Sequence, residues 1–365
     1  MDITVKVKEL NAILPSLVAV ADKKNTSMPA LEHLRFETGK RDVSIVGGDL
    51  NLWTFAEALA TVTKPGKGTV SAKMFGDLIS KLDGDEVRLT VLENFRLRVQ
   101  CGKSKHEIPG MDPTLYPAVP EIKGEFKTVS GAAMVNGIKG VIWSVSHDDT
   151  RAHLAGVHMR YRGGRMEFTA TNGHTAARNY GAVDMPGVEI TIPTKAENEV
   201  VRLSDGVETV EIAAGEWKGN GYLFIRSESI SIAARLISDA FAAVDNVMPS
   251  RHAVTAETNK TALLAALRRC SVTDIRENKS DPRVTLEIGS NAIGISNAEK
   301  TGMEEVPAET SGPALTIGVS NNYMNEATVS LDADRVVIEC NDELSPIIIR
   351  PVNGDGIRVV MPMRL

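Results

Sequence analysis

Apolar positions along this chain follow two rhythms in turn, a helical one and then an alternating one, and the sequence runs through that order three times. Leu10, Ile13, Leu14, Leu17 and Val18 fall at i, i+3, i+4, i+7 and i+8; Met134, Ile138, Val141, Ile142 and Val145 at i, i+4, i+7, i+8 and i+11; Leu263, Leu267 and Cys270 at i, i+4 and i+7. Each set predicts a helix with one buried stripe. Pro15 interrupts the first and predicts a kink or a short opening turn there. A hairpin follows each helix: Leu31–Glu37 returning through Val43–Val46, Val157–Tyr161 through Met166–Thr169, and Val284–Ile288 through Ile293–Ile295. Their turn glycines Gly39, Gly163 and Gly289 are evenly spaced (163 − 39 = 124; 289 − 163 = 126), about a third of the chain.

A second helix and further strands complete each third. The markers Leu82-Asp83-Gly84-Asp85, Leu203-Ser204-Asp205-Gly206 and Leu331-Asp332-Ala333-Asp334 close those helices ahead of strands such as Val87–Val91. Each repeat therefore reads as two helices on antiparallel sheets, an α+β unit. Proline-rich connectors, Pro109–Pro113 with Tyr116-Pro117 and Val119-Pro120, then Met248-Pro249-Ser250-Arg251, divide the chain into modules 1–122, 123–249 and 250–365.

The tail, Val359-Val360-Met361-Pro362-Met363-Arg364-Leu365, crowds large apolar side chains onto a terminus that would ordinarily be polar and frayed. It reads as a final edge strand, with Pro362 where no ladder donor is needed, or as the lining of a groove in which flexible methionines accept short apolar peptides. Both readings can hold together.

At 365 residues and 42% hydrophobic content the chain is long enough for several packed cores. No run of 18 or more apolar residues occurs, and Met1–Lys6 lacks a signal-peptide pattern, so a cytoplasmic protein with no membrane partner is expected. Cys101, Cys270 and Cys340 are too few and too scattered for a disulfide framework or zinc site, and reduced buried thiols are expected.

Catalytic patterns are missing. Ser146-His147-Asp148 are neighbours in sequence, whereas a triad is assembled in space, and no Gly-x-Ser-x-Gly elbow accompanies them. His153 and His158, if both lie on one strand, face opposite ways, so with His147 they do not converge on a metal. Neither phosphate-loop pattern occurs. His174, after Gly173, is a base or a structural hydrogen-bonding group. The expectation is a non-enzyme with no cofactor and no metal.

Net charge is −6, from 41 basic and 47 acidic residues, which disfavours an all-over attraction to nucleic acid. A local basic face acts over about a Debye length, ~8 Å, so the total does not decide the matter. Lys73, Lys81, Lys139, Lys195, Arg202, Lys260, Arg268 and Arg269 lie on predicted helices. They read either as solvated faces or as sparse contacts for tracking phosphates without reading sequence. The final helix, Tyr323–Ala327, has no base.

Three tandem α+β units in an acidic chain ending Val-Met-Pro-Met-Arg-Leu resemble the bacterial DNA polymerase III beta subunit family, the sliding clamps, over the full length. Gly48-Asp49-Leu50, Thr171-Asn172-Gly173-His174, Phe241 with Pro249, and Leu344-Ser345-Pro346 before Ile347–Ile349 carry the resemblance further. It implies three DNA-clamp domains in a head-to-tail homodimer, a closed ring with helices around duplex DNA and sheets outside. Lys24 and the eight helical bases would face the DNA. An edge strand near Leu97–Gln100 and Lys103–Lys105 would meet the region around Arg269–Thr273 and Glu299-Lys300 of the second copy.

The resemblance also implies a pocket for short, extended peptides containing glutamine and leucine or phenylalanine. These would come from the DNA polymerase III alpha subunit, the clamp loader and repair polymerases. Its walls would be Arg151, Leu154, Thr171, Gly173, His174, Ala176, Ala242, Val247, Tyr323, Pro346, Val359, Met361, Pro362 and Met363. Four positions depart from the family pattern: Ala176 for leucine, Ala242 for proline, Asn172 for aspartate and Thr175 for arginine. The two smaller walls predict a wider or shallower pocket that prefers bulkier anchors. The other reading is a monomeric or phage- or plasmid-type clamp-fold adaptor that captures such peptides without encircling DNA.

Overall fold

The computed structural model describes residues 1–21, 27–121, 123–249, 251–272 and 282–365. Lys24 and Thr273 lie outside them, as do Ile122 and Ser250 of the connectors. Six α-helices occur among the described residues: α1 (Val7–Val20), α2 (Ala72–Ile79), α3 (Gly131–Lys139), α4 (Thr194–Ser204), α5 (Lys260–Val272) and α6 (Asn321–Val329). By contacts the chain packs as two units, Met1–Ala132 with Asn198–Leu236, and Ala133–Glu197 with Ile237–Leu365.

A twelve-stranded antiparallel sheet belongs to the first unit. Its main path runs Ser104–Ile108, Leu97–Cys101, Glu86–Val91, Asp2–Lys6, Leu52–Lys64, Ile230–Arg235, Asn220–Ser227, Thr209–Trp217 and Lys127–Ser130. The long strand Leu52–Lys64 joins its parts, pairing with Asp2–Lys6, Asp42–Gly48 and Ile230–Arg235 along its length. The edge that the resemblance implies near Leu97–Gln100 and Lys103–Lys105 falls on the second of these segments, and Leu97–Cys101 itself is interior. It pairs on both sides, and the outermost strand at this end of the sheet is Ser104–Ile108.

The second unit holds the other twelve-stranded sheet, in the order Glu189–Pro193, Gly156–Arg162, Arg165–Thr171, Thr175–Gly181, Ile357–Val360, Ile347–Pro351, Arg335–Cys340, Val254–Asn259, Met303–Ser311, Ala292–Asn297, Arg283–Gly289 and Leu315–Ser320. Two of its hairpins close through two-residue turns with both φ positive, Gly163-Gly164 and Ser290-Asn291. That turn matches the right-handed twist of the strands it joins, which is why glycine and asparagine stand there.

The helical stripes are buried as their spacing requires. Leu10, Ile13, Leu14 and Leu17 of α1 join Phe36, Val43, Ile45 and Phe75 in one core, and Leu263, Leu267 and Cys270 of α5 join Leu286, Ile295 and Ile317 in another. Burying each such side chain stabilises the fold by about 1.5–3 kcal/mol. Pro15 neither ends nor shortens α1, which runs on to Val20. Its ring lies on the exposed face, where the carbonyl it leaves unpaired is open to water. The second stripe does shorten: α3 stops at Lys139 before Gly140, and Val141, Ile142 and Val145 fall in or beside a 3₁₀ turn, Ile142–Ser144. Val141 and Val145 are buried all the same, so apolar spacing followed burial beyond the end of the helix.

All three cysteines are free and buried. His153 lies in a 3₁₀ segment, Asp149–Leu154, and not on the strand with His158. No helix among the described residues is long and apolar enough to cross a membrane.

Candidate functional site

The tail strand Ile357–Val360 is not an edge. It lies between Thr175–Gly181 and Ile347–Pro351, with Val360 opposite both Thr175 and Ile347, and Val359 opposite both Ala176 and Ile348. Successive strand side chains face opposite ways. Val360 therefore enters the core with Ile347 and Ile349, while Val359 turns to the other face with Ala176, Ile348 and Val244. Beyond the strand, the Met361 amide donates to the His174 carbonyl (2.9 Å) and the Met363 amide to the Gly318 carbonyl (2.8 Å). Pro362, which has no donor, stands between these two bonds.

Residues 171–175 form the second wall, shaped by one side chain. Asn172 Oδ1 accepts from the His174 amide (2.9 Å), the Thr175 amide (2.8 Å) and Thr175 Oγ1 (3.1 Å). The Thr171 hydroxyl donates to the Thr175 carbonyl (2.6 Å). Closing so tight a loop needs Gly173 at φ +89°, a conformation that L side chains rarely adopt. A Cβ there would also stand 3.0 Å from Arg151 Nη1.

The third wall is a strap, residues 237–248, laid over the same sheet face. Its Ile237 amide donates to the Thr191 carbonyl (3.0 Å), Phe241 stacks flat on His158 with ring centres 4.6 Å apart, and Val244 is buried. Asp245, in the 3₁₀ turn Val244–Val247, receives Arg178, Arg160 and Arg162. Its hydrogen bond from Arg178 is the main cause holding its carboxyl below the usual range.

Together these walls enclose an apolar cavity of about 190 Å³. Nine of the expected residues line it: Leu154, Thr171, Gly173, His174, Ala176, Ala242, Val247, Val359 and Met361. Five do not. Arg151 sits at the rim, its Nη1 3.4 Å from the Asn172 carbonyl, and Tyr323 of α6 stacks against His174 with centres 6.4 Å apart. Pro346 precedes the neighbouring strand, Pro362 spans the two tail bonds, and Met363 bridges to Gly318. Thr175, Ala243 and Val244 line the cavity without having been expected. The apolar run Ala242–Val244 signals the last two, but only the strap's course shows which way they face. His174 is exposed and supplies a polar rim.

The proposed DNA-facing bases do not share one environment. Lys73, Lys81 and Arg268 are exposed and pair with no carboxylate among the described residues. Lys139 and Lys195 are exposed at their helix surfaces. Arg202 pairs with Glu199, Arg269 grips Glu304 through two bonds of 2.8 and 2.6 Å, and the Lys260 ammonium donates to the Val329 and Leu331 carbonyls at the end of α6. No group of three or more potential metal ligands occurs among the described residues.

Similarity to known proteins runs along the whole chain. Residues 1–120, 128–242 and 245–364 match the N-terminal, central and C-terminal domains of the DNA polymerase III beta subunit. The beta sliding clamp of Synechococcus elongatus is 25% identical over 100% of both chains, and that of Staphylococcus epidermidis 26% over 97% of each. In fold, the chain matches the DNA polymerase sliding clamp of Bacillus subtilis (TM-score 0.92, 22% identity, 100% of this chain and 99% of that one). It also matches a Pseudomonas aeruginosa sliding clamp bound to griselimycin (TM-score 0.91, 22% identity, 100% of both). Three consecutive domain matches leave only short connectors uncovered, and the chain belongs to the DNA polymerase III beta subunit family.

Proposed function

We propose that the chain works as a sliding clamp: two copies close head to tail around duplex DNA, and the apolar cavity tethers a polymerase or other partner by a short extended peptide. The modules would be residues 1–122, 123–249 and 250–365. The work is tethering and not catalysis. The observation that carries this reading is the cavity itself, built by the C-terminal strand in a chain of this family, with apolar walls and a polar rim of His174 and Arg151. Such a site buries leucine or aromatic anchors and orients a glutamine or the peptide backbone. The DNA polymerase III alpha subunit, a clamp loader and repair polymerases are the partners proposed. Ala176 and Ala242 leave room in the walls, so bulkier anchors should be favoured.

An acidic chain suits a ring held by topology, since tight electrostatic grip would oppose sliding. The test is retention on DNA. Loaded on nicked circular DNA, the protein should stay bound and be released when the circle is cut, and light scattering should give a dimer. A persistent monomer at micromolar concentration, with equal retention on circular and linear DNA, would instead establish the peptide-capturing adaptor.

A further inference from the structure

The strap that walls the cavity has a second cavity behind it. This one, about 230 Å³, is lined by His158, Arg160, Thr169, Arg178, Glu189 and Asp245 together with the strap residues Ala242, Ala243 and Val244, which also line the apolar cavity. The strap thus separates an apolar space from a polar one. Its backbone is tied to the sheet at its start, by the Ile237 amide to the Thr191 carbonyl; further along, the Val244 amide donates to the Ala242 carbonyl (2.8 Å) and the Asn246 amide to the Ala243 carbonyl (3.2 Å), both within the strap itself.

Beside the burial of Val244 and the stacking of Phe241, its middle is held by ion pairs. Register places His158, Arg160 and Arg162 on one face of their strand, opposite Thr169, Glu167 and Arg165, with Arg178 opposite Thr169 on the next strand. Arg178 is 8% exposed, and its side chain donates to Asp245 and, at 3.4 Å, to Thr169 Oγ1. Arg160 bonds Glu167 Oε2 (2.8 Å) and reaches Asp245 at 3.3 Å, and Arg162 reaches it at 3.5 Å. Asp245 is the strap's contribution to this lattice, and without it Arg178 is a buried cation that pairs with no carboxylate among the described residues, a costly arrangement.

We infer that Asp245 is a positioning residue for the peptide site: its bonds to Arg178, Arg160 and Arg162 set the strap as the wall that an apolar anchor packs against. This rests on the peptide reading of the cavity. Asp245 touches no peptide on this account; it acts through Ala242, Val244 and Val247. Its side chain is 45% exposed, so salt reaches the pairs and weakens them.

The test uses the full chain and an uncharged, unlabelled synthetic peptide carrying glutamine, leucine and phenylalanine, its affinity read by titration calorimetry. Affinity should fall about tenfold in Asp245→Asn, inside the ~5–150-fold range of coupling between sites, and Asp245→Glu should recover part of it. The unmodified chain should lose affinity between about 0.05 and about 0.5 M NaCl, as exposed ion pairs are screened, while Asp245→Asn stays flat. A merely structural residue would lower the melting temperature without that salt signature. Met361→Ala reports on the cavity independently. If Met361→Ala weakens binding while Asp245→Asn and salt leave it unchanged, the positioning role is overturned alone. If none of the three changes binding, the peptide reading falls with it. Should Asp245→Asn fail to fold, the salt titration of the unmodified chain decides: a flat profile overturns the inference.

Discussion

A single buried carboxyl shows how far a side chain can depart from its ordinary chemistry. Glu197 of α4 is fully buried; one oxygen accepts the Val157 amide and the other has no partner among the described residues. Burial pushes its pKa up to about 8. The folded chain therefore holds a proton that the unfolded chain releases above about 4.5, so this residue's contribution to stability declines as pH rises from about 4.5 to about 8. Glu197→Gln should destabilise by about 2 kcal/mol at pH ~4.5, the cost of an unpaired amide, and stabilise by about 2 kcal/mol at pH ~8, where ~1.4 kcal/mol per pKa unit of the shift outweighs that cost. Urea unfolding at the two pH values checks it, and an equal effect at both would refute it. Gly173 is the opposite case, where the absence of a side chain matters. Gly173→Ala should cost about 1–3 kcal/mol, from φ +89° and the approach of Arg151, and should weaken peptide binding by displacing the loop. Thermal unfolding and anisotropy measure the two effects.

At the scale of elements, α6 has no base of its own, yet its C-terminus is ringed by cations from elsewhere. Lys260, at the start of α5, donates to the Val329 and Leu331 carbonyls, and Arg358 of the tail strand bonds the Ser330 carbonyl (3.1 Å) and hydroxyl (2.7 Å). A helix C-terminus carries partial negative charge and unpaired carbonyls, so both side chains complete what the helix lacks. Arg358 also donates to the Arg178 carbonyl at 2.9 Å, and burial lowers its pKa to about 10. Lys260→Ala should cost about 1 kcal/mol and Arg358→Lys about 2–3 kcal/mol, because a lysine ammonium cannot satisfy the same fork of acceptors. Chemical denaturation tests both, and a neutral Arg358→Lys would sink the capping account. The sequence displays Lys260 simply as a base on a helix. Its commitment to carbonyls is visible only once α5 and α6 are packed, and its place among DNA-facing residues is weakened accordingly.

For the whole molecule, Lys73, Lys81 and Arg268, exposed and without a carboxylate partner among the described residues, predict a shallow salt dependence. Each phosphate neutralised contributes about −0.9 to the slope of log K against log salt, so linear duplex binding should show a slope no steeper than roughly −5. A slope near −10 would point to a gripping protein and against sliding. The sequence alone determined the periodic signals: the threefold repeat, the helical stripes of Leu10–Leu17 and Leu263–Cys270, the hairpin turns and the importance of the tail, because spacing at 3.6 and 2 residues is a local property of the chain. Nine cavity residues were legible through the family resemblance. Tertiary structure alone decided that the tail strand is interior, that Leu97–Cys101 is interior with Ser104–Ile108 outside it, and that α3 ends early while its apolar neighbours stay buried. It also decided that Asp245 meets Arg178 across 67 positions of chain. Strand neighbours and ion-pair partners depend on which distant segments meet, and a backbone edge or an isolated charge carries no local mark of its eventual partner.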